Sequence, residues 1–141
     1  MLKATFSQIP TQLSELVLVA IGAVPGALIR WQAAGILTGG SENVFVNVLG
    51  ASILGFVFGL SSGPNVYLLI GVGFCGSLTT FSAWMVDCVV LIAKGEWLQA
   101  LGLIVLTMGV GLGAAALAYY FGRLLRPSRP AQAPPAADSR Q

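Results

Sequence analysis

Histidine is missing from this chain of 141 residues, and charge is scarce: seven lysines and arginines and five acids make up 9% of it. Without histidine, imidazole proton relays and histidine metal sites are excluded. A net charge of +2 is too small to argue for nucleic acid as a partner. Only two cysteines occur, Cys75 and Cys88. On one helix, thirteen residues of separation would hold them roughly 20 Å apart, too far for a disulfide, so they read as small buried apolar residues. No nucleophile–base pair, phosphate loop or metal-ligand cluster is present, so nothing points to an enzyme. What remains is 56% hydrophobic, the composition of an integral membrane protein.

Hydrocarbon about 30 Å thick needs roughly 20 apolar residues per helix. Four segments qualify: about Ser14 to Leu37, Val44 to Leu60, Val66 to Ala93 and Trp97 to Phe121. The first has no clean small-residue cleavage site behind it and reads as an uncleaved helix, not a signal peptide. Ser61-Ser62-Gly63-Pro64-Asn65 marks the turn after the second. Trp97, Tyr119 and Tyr120 stand near the ends of the fourth, as interfacial anchors do. The chain thus divides into an N-terminal segment 1–13, a four-helix transmembrane domain 14–122 and a Pro-rich tail 123–141 expected to be disordered. Small residues recur at i+4 spacing. Gly22, Gly26 and Arg30 form one row, Asn43, Asn47, Ala51, Gly55 and Gly59 a second, and Thr107, Gly111, Ala115 and Tyr119 a third; Gly109 and Gly113 make a GxxxG pair. Such rows let helix backbones approach closely in a membrane.

Between Glu42 and Asp87 lie 44 residues without a formal charge. Within them, residues 73–84 carry two glycines, two serines and two threonines at membrane depth. Irregular backbone is tolerated there only where protein buries it or it lines a cavity, so a broken third helix is predicted. Polar groups at this depth are functional candidates by default: Arg30, Asn47, Thr79, Thr80, Ser82, Asp87 and Thr107. Arg30 would snorkel to the interface or form an ion pair, and Asn47 would at least make an interhelical hydrogen bond. Asp87 would cap the outer end of a pore. Phe81 and Trp84 on their own would be packing aromatics. Beside Gly76-Ser77-Leu78-Thr79-Thr80, two ring edges and an amide would hold a small anion without a formal charge. Carbonyls freed at the break would hold a monovalent cation.

Three motifs give the chain a resemblance over about residues 18–122. Gly22-Ala23-Val24-Pro25-Gly26-Ala27-Leu28-Ile29-Arg30, the asparagine stretch from Val46 and Asn47 through Gly50 to Gly55, and residues 73–82 resemble, in order, the first-, second- and third-helix signatures of the Fluc-type (CrcB) fluoride channel family. The resemblance implies an antiparallel, dual-topology dimer of four-helix subunits in the bacterial plasma membrane, with two fluoride pores. It also implies a central structural sodium ion that is not transported. By position, Gly76 and Thr79 would supply the sodium carbonyls, Asn47 the pore amide, and Phe81 with Trp84 the aromatic box, with Thr80, Ser82 and Thr107 as polar pore residues. Arg30 matches the first-helix arginine and, with Asp87, stands at the pore mouth. Three positions depart from the pattern: Trp84 replaces a phenylalanine, Asp87 a glutamate, and Leu103 a tyrosine of the polar track.

The reading that follows is a passive channel exporting cytoplasmic fluoride to relieve its toxicity. A four-helix drug or cation exporter is the alternative, but its proton-exchanging acid is absent from Ala20 to Leu28. A non-conducting partner subunit of a heterodimer is the third. Both termini share one side with Lys3, Arg123, Arg126, Arg129 and Arg140, against Lys94 and Arg30 opposite, so cytoplasmic termini are expected. An antiparallel homodimer needs near-balanced charge, so the partner is either a second copy or an oppositely oriented paralogue.

Overall fold

The computed structural model describes residues 2–37 and 40–126, with side chains from residue 12 onward. All regular structure in it is helical. Helix α1 spans Leu2–Ile36 and α2 spans Ser41–Gly59. Helix α3, residues 64–78, joins a turn at Pro64–Val66, a π-helical stretch Tyr67–Cys75 and a last turn Gly76–Leu78. Helix α4 is Ser82–Ala93, and α5 is Trp97–Leu124. Taking α3 and α4 together as one interrupted crossing, four segments are long and apolar enough to span a membrane: Gln12–Ile36, Ser41–Gly59, Pro64–Ala93 and Trp97–Leu124. These match the four spans expected from the sequence. Helix α1 continues outward through residues 2–13, and the tail from 127 lies outside the described residues.

The burial pattern inverts that of a water-soluble bundle. Leu16, Ile36, Leu98, Leu112 and Leu117 are each more than 60% exposed, while the buried set is small and rich in glycine, alanine and threonine. Lipid removes the hydrophobic drive between helices, leaving close backbone packing to hold them. Helix α1 lies on α3, where a Cβ added at Gly22 or Gly26 would run into the Leu69 and Phe74 carbonyls. Helix α2 lies on α5: a Cβ on Gly55 would meet the Ala115 backbone, and one on Gly59 that of Tyr119. The second and third rows of small residues therefore face each other. A Cβ added at Gly109 or Gly113 would meet nothing within 4 Å, so among the described residues this pair does not face another helix.

The α4–α5 connection is set by Gly95 at φ +80°, a left-handed position that suits glycine. The Glu96 N–H reaches back to the Leu91 carbonyl (2.9 Å) and Gly95 N–H to that of Ile92 (2.9 Å), closing the helix end. Cys75 and Cys88 are both buried and free. They fall on opposite sides of the break, so the single-helix spacing assumed from the sequence does not describe them.

Candidate functional site

The third crossing breaks where the sequence places it. After Leu78, which is fully buried against Ala33 and Val46, Thr79 turns extended (φ −78°, ψ 156°) and helix resumes only at Ser82. The break leaves specific backbone groups without helical partners. Thr80 N–H, which would bond the Gly76 carbonyl in an intact helix, bonds Asn47 Oδ1 at 2.7 Å. Ala83 N–H, the corresponding donor for the Thr79 carbonyl, goes to Thr80 Oγ1 at 3.3 Å, as at a helix N-cap. The carbonyls of Gly76 and Thr79 thus lose their i+4 donors, and Gly76 is exposed on the surface of the chain.

Asn47, one turn into α2 from Asn43, holds the break from both sides. Its Nδ2 donates to the Thr80 carbonyl at 2.8 Å while its Oδ1 accepts the Thr80 N–H. This two-point pairing replaces both helical bonds that residue 80 forgoes, and it leaves one Nδ2 hydrogen without an acceptor among the described residues. Thr79 Oγ1 folds back on the Cys75 carbonyl at 3.0 Å. On the other side Ser77 Oγ, 2.8 Å from the Ala23 carbonyl, donates to it and so ties α3 to α1 beside Gly26.

The two candidate aromatics differ sharply in exposure. Phe81 is 70% exposed and Trp84 4%, with ring centroids 5.8 Å apart and planes tilted by 53°. Trp84 Nε1–H donates to Thr107 Oγ1 on α5 at 3.2 Å, and Thr107 is itself buried. Asn47 and Thr107 share the wall of a cavity of about 410 Å3 between α2 and α5, otherwise lined by residues such as Ala51, Leu54, Phe58 and Ala115. Ser82 is exposed at the first position of α4.

One turn beyond Trp84, midway along α4, the Asp87 carboxylate accepts from Asn43 Nδ2 at 2.6 Å and lies against Gly40, the residue before α2. Its charge therefore faces the positive end of the α2 dipole. Glu42, in the first turn of α2, has one carboxylate oxygen buried without a hydrogen-bond partner among the described residues. Arg30 is exposed near the end of α1 and makes no ion pair among the described residues. The structure brings Asn47, Thr80, Phe81, Trp84 and Thr107 together around the break, sets Gly76 and Thr79 on its carbonyl side, and leaves Arg30 and Asp87 apart from it. The hydrogen bonds of Asn43 to Asp87 and of Ser77 to Ala23 were not expected from the sequence; the four-residue spacing of Asn43 from Asn47 was the signal available for the first.

An all-helical, multi-pass membrane protein with a broken third crossing clamped by a half-buried amide is the class these features define. Residues 17–119 match the family model described as "CrcB-like protein, Camphor Resistance (CrcB)", and the chain belongs to that family. It is 57% identical over 123 residues to "Fluoride-specific ion channel FluC 2" of Synechococcus sp. (strain CC9605), covering 87% of this chain and 92% of the relative. Similarity to the protein of the same name in Prochlorococcus marinus (strain MIT 9313) is 58% over 120 residues, covering 85% and 91%. "Fluoride-specific ion channel FluC 1" of another Prochlorococcus marinus strain is 34% identical over 115 residues, covering 82% and 87%.

Proposed function

We propose that this chain is a fluoride-specific ion channel that lets cytoplasmic fluoride leave passively across a bacterial plasma membrane. The observation that carries the reading is the cavity beside the helix break, where an uncharged amide N–H and a threonine hydroxyl lie in an otherwise apolar wall. Membership of a family whose named relatives are fluoride-specific channels supports it. A small anion gives up hydration on entering such a space. Neutral donors and the positive edge of Phe81 offset that loss without holding the ion so tightly that it cannot leave. A carboxylate or lysine there would repel or trap it. Enzymatic chemistry has no place in this reading, nor does proton-coupled drug export.

A structural sodium ion fits the break. Among the described residues no group of three or more cysteine, aspartate or glutamate side chains could hold a metal, whereas the carbonyl oxygens of Gly76 and Thr79 lack helical donors. Hard oxygen ligands of this kind suit a monovalent cation at a discontinuous helix. One chain offers two such carbonyls, and a second chain across a shared axis would double the set. Exposed Gly76 is the reason for placing that axis here. The assembly is then an antiparallel dimer, formed with a second copy or with an oppositely oriented paralogue. The existence of relatives numbered 1 and 2 supports the paralogue arrangement.

Fluoride efflux from liposomes containing the purified chain tests the reading. Rapid fluoride release with little chloride release is expected, and comparable chloride release would overturn it. Reporter fusions at the C-terminus separate the two dimers. Mixed orientation with flux indicates a homodimer; one orientation without flux from the chain alone indicates a paralogue.

A further inference from the structure

The cavity between α2 and α5 has only two polar side chains among its lining residues, Asn47 and Thr107, and each has an oxygen that would repel an anion. Both oxygens are engaged. Asn47 Oδ1 accepts the Thr80 N–H, and Thr107 Oγ1 accepts the Trp84 indole N–H. Serine and threonine hydroxyls in helices commonly donate to the carbonyl four residues earlier. Ser52 does so to Val48 and Thr79 to Cys75 here, each within 3.0 Å. Thr107 makes no such bond to Leu103, so its hydroxyl hydrogen, like the second Nδ2 hydrogen of Asn47, has no acceptor among the described residues.

From this arrangement we infer that Trp84 is a positioning residue: by donating to Thr107 it commits that hydroxyl to act as a donor towards an anion in the cavity. The inference rests on the channel reading for its consequence, though not for its geometry. A ring of similar shape lacking the N–H would free the Thr107 lone pairs, and the hydroxyl would then rotate to back-bond Leu103. Its oxygen, in place of its hydrogen, would face the ion. Trp84 therefore acts through a hydrogen bond to a neighbour, and its own ring stays 4% exposed behind the cavity wall.

The test is a cycle of Trp84→Phe, Thr107→Val and the double variant in the full chain, with fluoride efflux from liposomes measured over a series of fluoride concentrations. Trp84→Phe should lower flux about fivefold, the worth of one hydrogen bond, and raise the half-saturating fluoride concentration. Thr107→Val should lower flux at least as much. The double variant should be no worse than Thr107→Val, and Thr107→Ser should restore the dependence on Trp84. Additive losses, or wild-type flux in Trp84→Phe, overturn the inference. An independent reading comes from the Trp84 indole N–H resonance in the 15N-labelled protein. It should shift on adding sodium fluoride and cease to do so in Thr107→Val. A wild-type chain that passes no fluoride yet shows this shift would fail the channel reading and leave the positioning role standing. An indole resonance indifferent to fluoride would remove that role.

Discussion

Replacing Asn47 by aspartate changes one atom group and separates two roles of the amide. The present Nδ2 donates to the Thr80 carbonyl at 2.8 Å, and Oδ1 accepts the Thr80 N–H at 2.7 Å. In Asn47→Asp the second bond survives, but the first becomes two oxygens facing each other. Losing that bond and leaving a buried carbonyl unpaired costs about 1–3 kcal/mol of stability at the break. The larger effect falls on the ion. A unit negative charge about 4 Å from an anion, at an effective dielectric near 20, repels it by about 4 kcal/mol, roughly a thousandfold in rate. Asn47→Ala provides the comparison, because it removes the clamp without adding charge. Fluoride efflux followed with an electrode, on protein shown by gel filtration to assemble normally, should rank wild type above alanine and alanine well above aspartate. Aspartate and alanine variants with equal flux would show that Asn47 only clamps the break, and wild-type flux in Asn47→Asp would refute the electrostatic argument outright.

Phe81→Ile keeps an apolar side chain but removes the positive ring edge, and should reduce fluoride flux about tenfold, on the order of one aromatic contact, while leaving assembly intact on gel filtration. Gly22→Ala should destabilise the chain by about 1–3 kcal/mol because the new methyl meets the Leu69 carbonyl backbone, seen as a lower thermal midpoint. Gly109→Ala, with nothing within 4 Å, should leave that midpoint unchanged or raise it, since alanine favours helix by about 1 kcal/mol over glycine. Replacing sodium by a bulky organic cation during purification should lower dimer stability, and an unchanged monomer–dimer equilibrium would argue against the central cation.

The four crossings were legible because a membrane span needs only length and apolarity, both of which a sequence displays directly. The break was legible too, since glycine, serine and threonine together at residues 73–82 are costly in lipid unless something else satisfies the backbone. Partner choice was not. Asn47, Ala51, Gly55 and Gly59 read as a row that packs on some helix, and Thr107, Gly111, Ala115 and Tyr119 as another. Nothing in either row says that they face each other, while Gly109 and Gly113 point away. The π-helical stretch Tyr67–Cys75 was likewise invisible: no residue pattern in it marks a wider turn, and its packing, with Gly73 close to the Val19 backbone of α1, is between residues far apart in the chain. Trp84 was read as a ring edge, whereas its N–H to Thr107 depends on α4 meeting α5 at that depth.

Asn47 shows why residue type alone underdetermines such a site. An asparagine in a membrane helix announces donors and an acceptor that need partners, and an interhelical hydrogen bond to any neighbour would satisfy that requirement. Its pairing here, with N–H and carbonyl of the same residue, is possible only if both groups of Thr80 are free of their helix. An intact helix would engage that N–H with Gly76 and that carbonyl with Trp84. The break therefore creates a backbone site that matches a primary amide on both edges, and the amide in turn makes the break tolerable in lipid. Each feature supports the other, which is why a change at residue 47 should disturb the backbone at 76–80 as well as the cavity it lines.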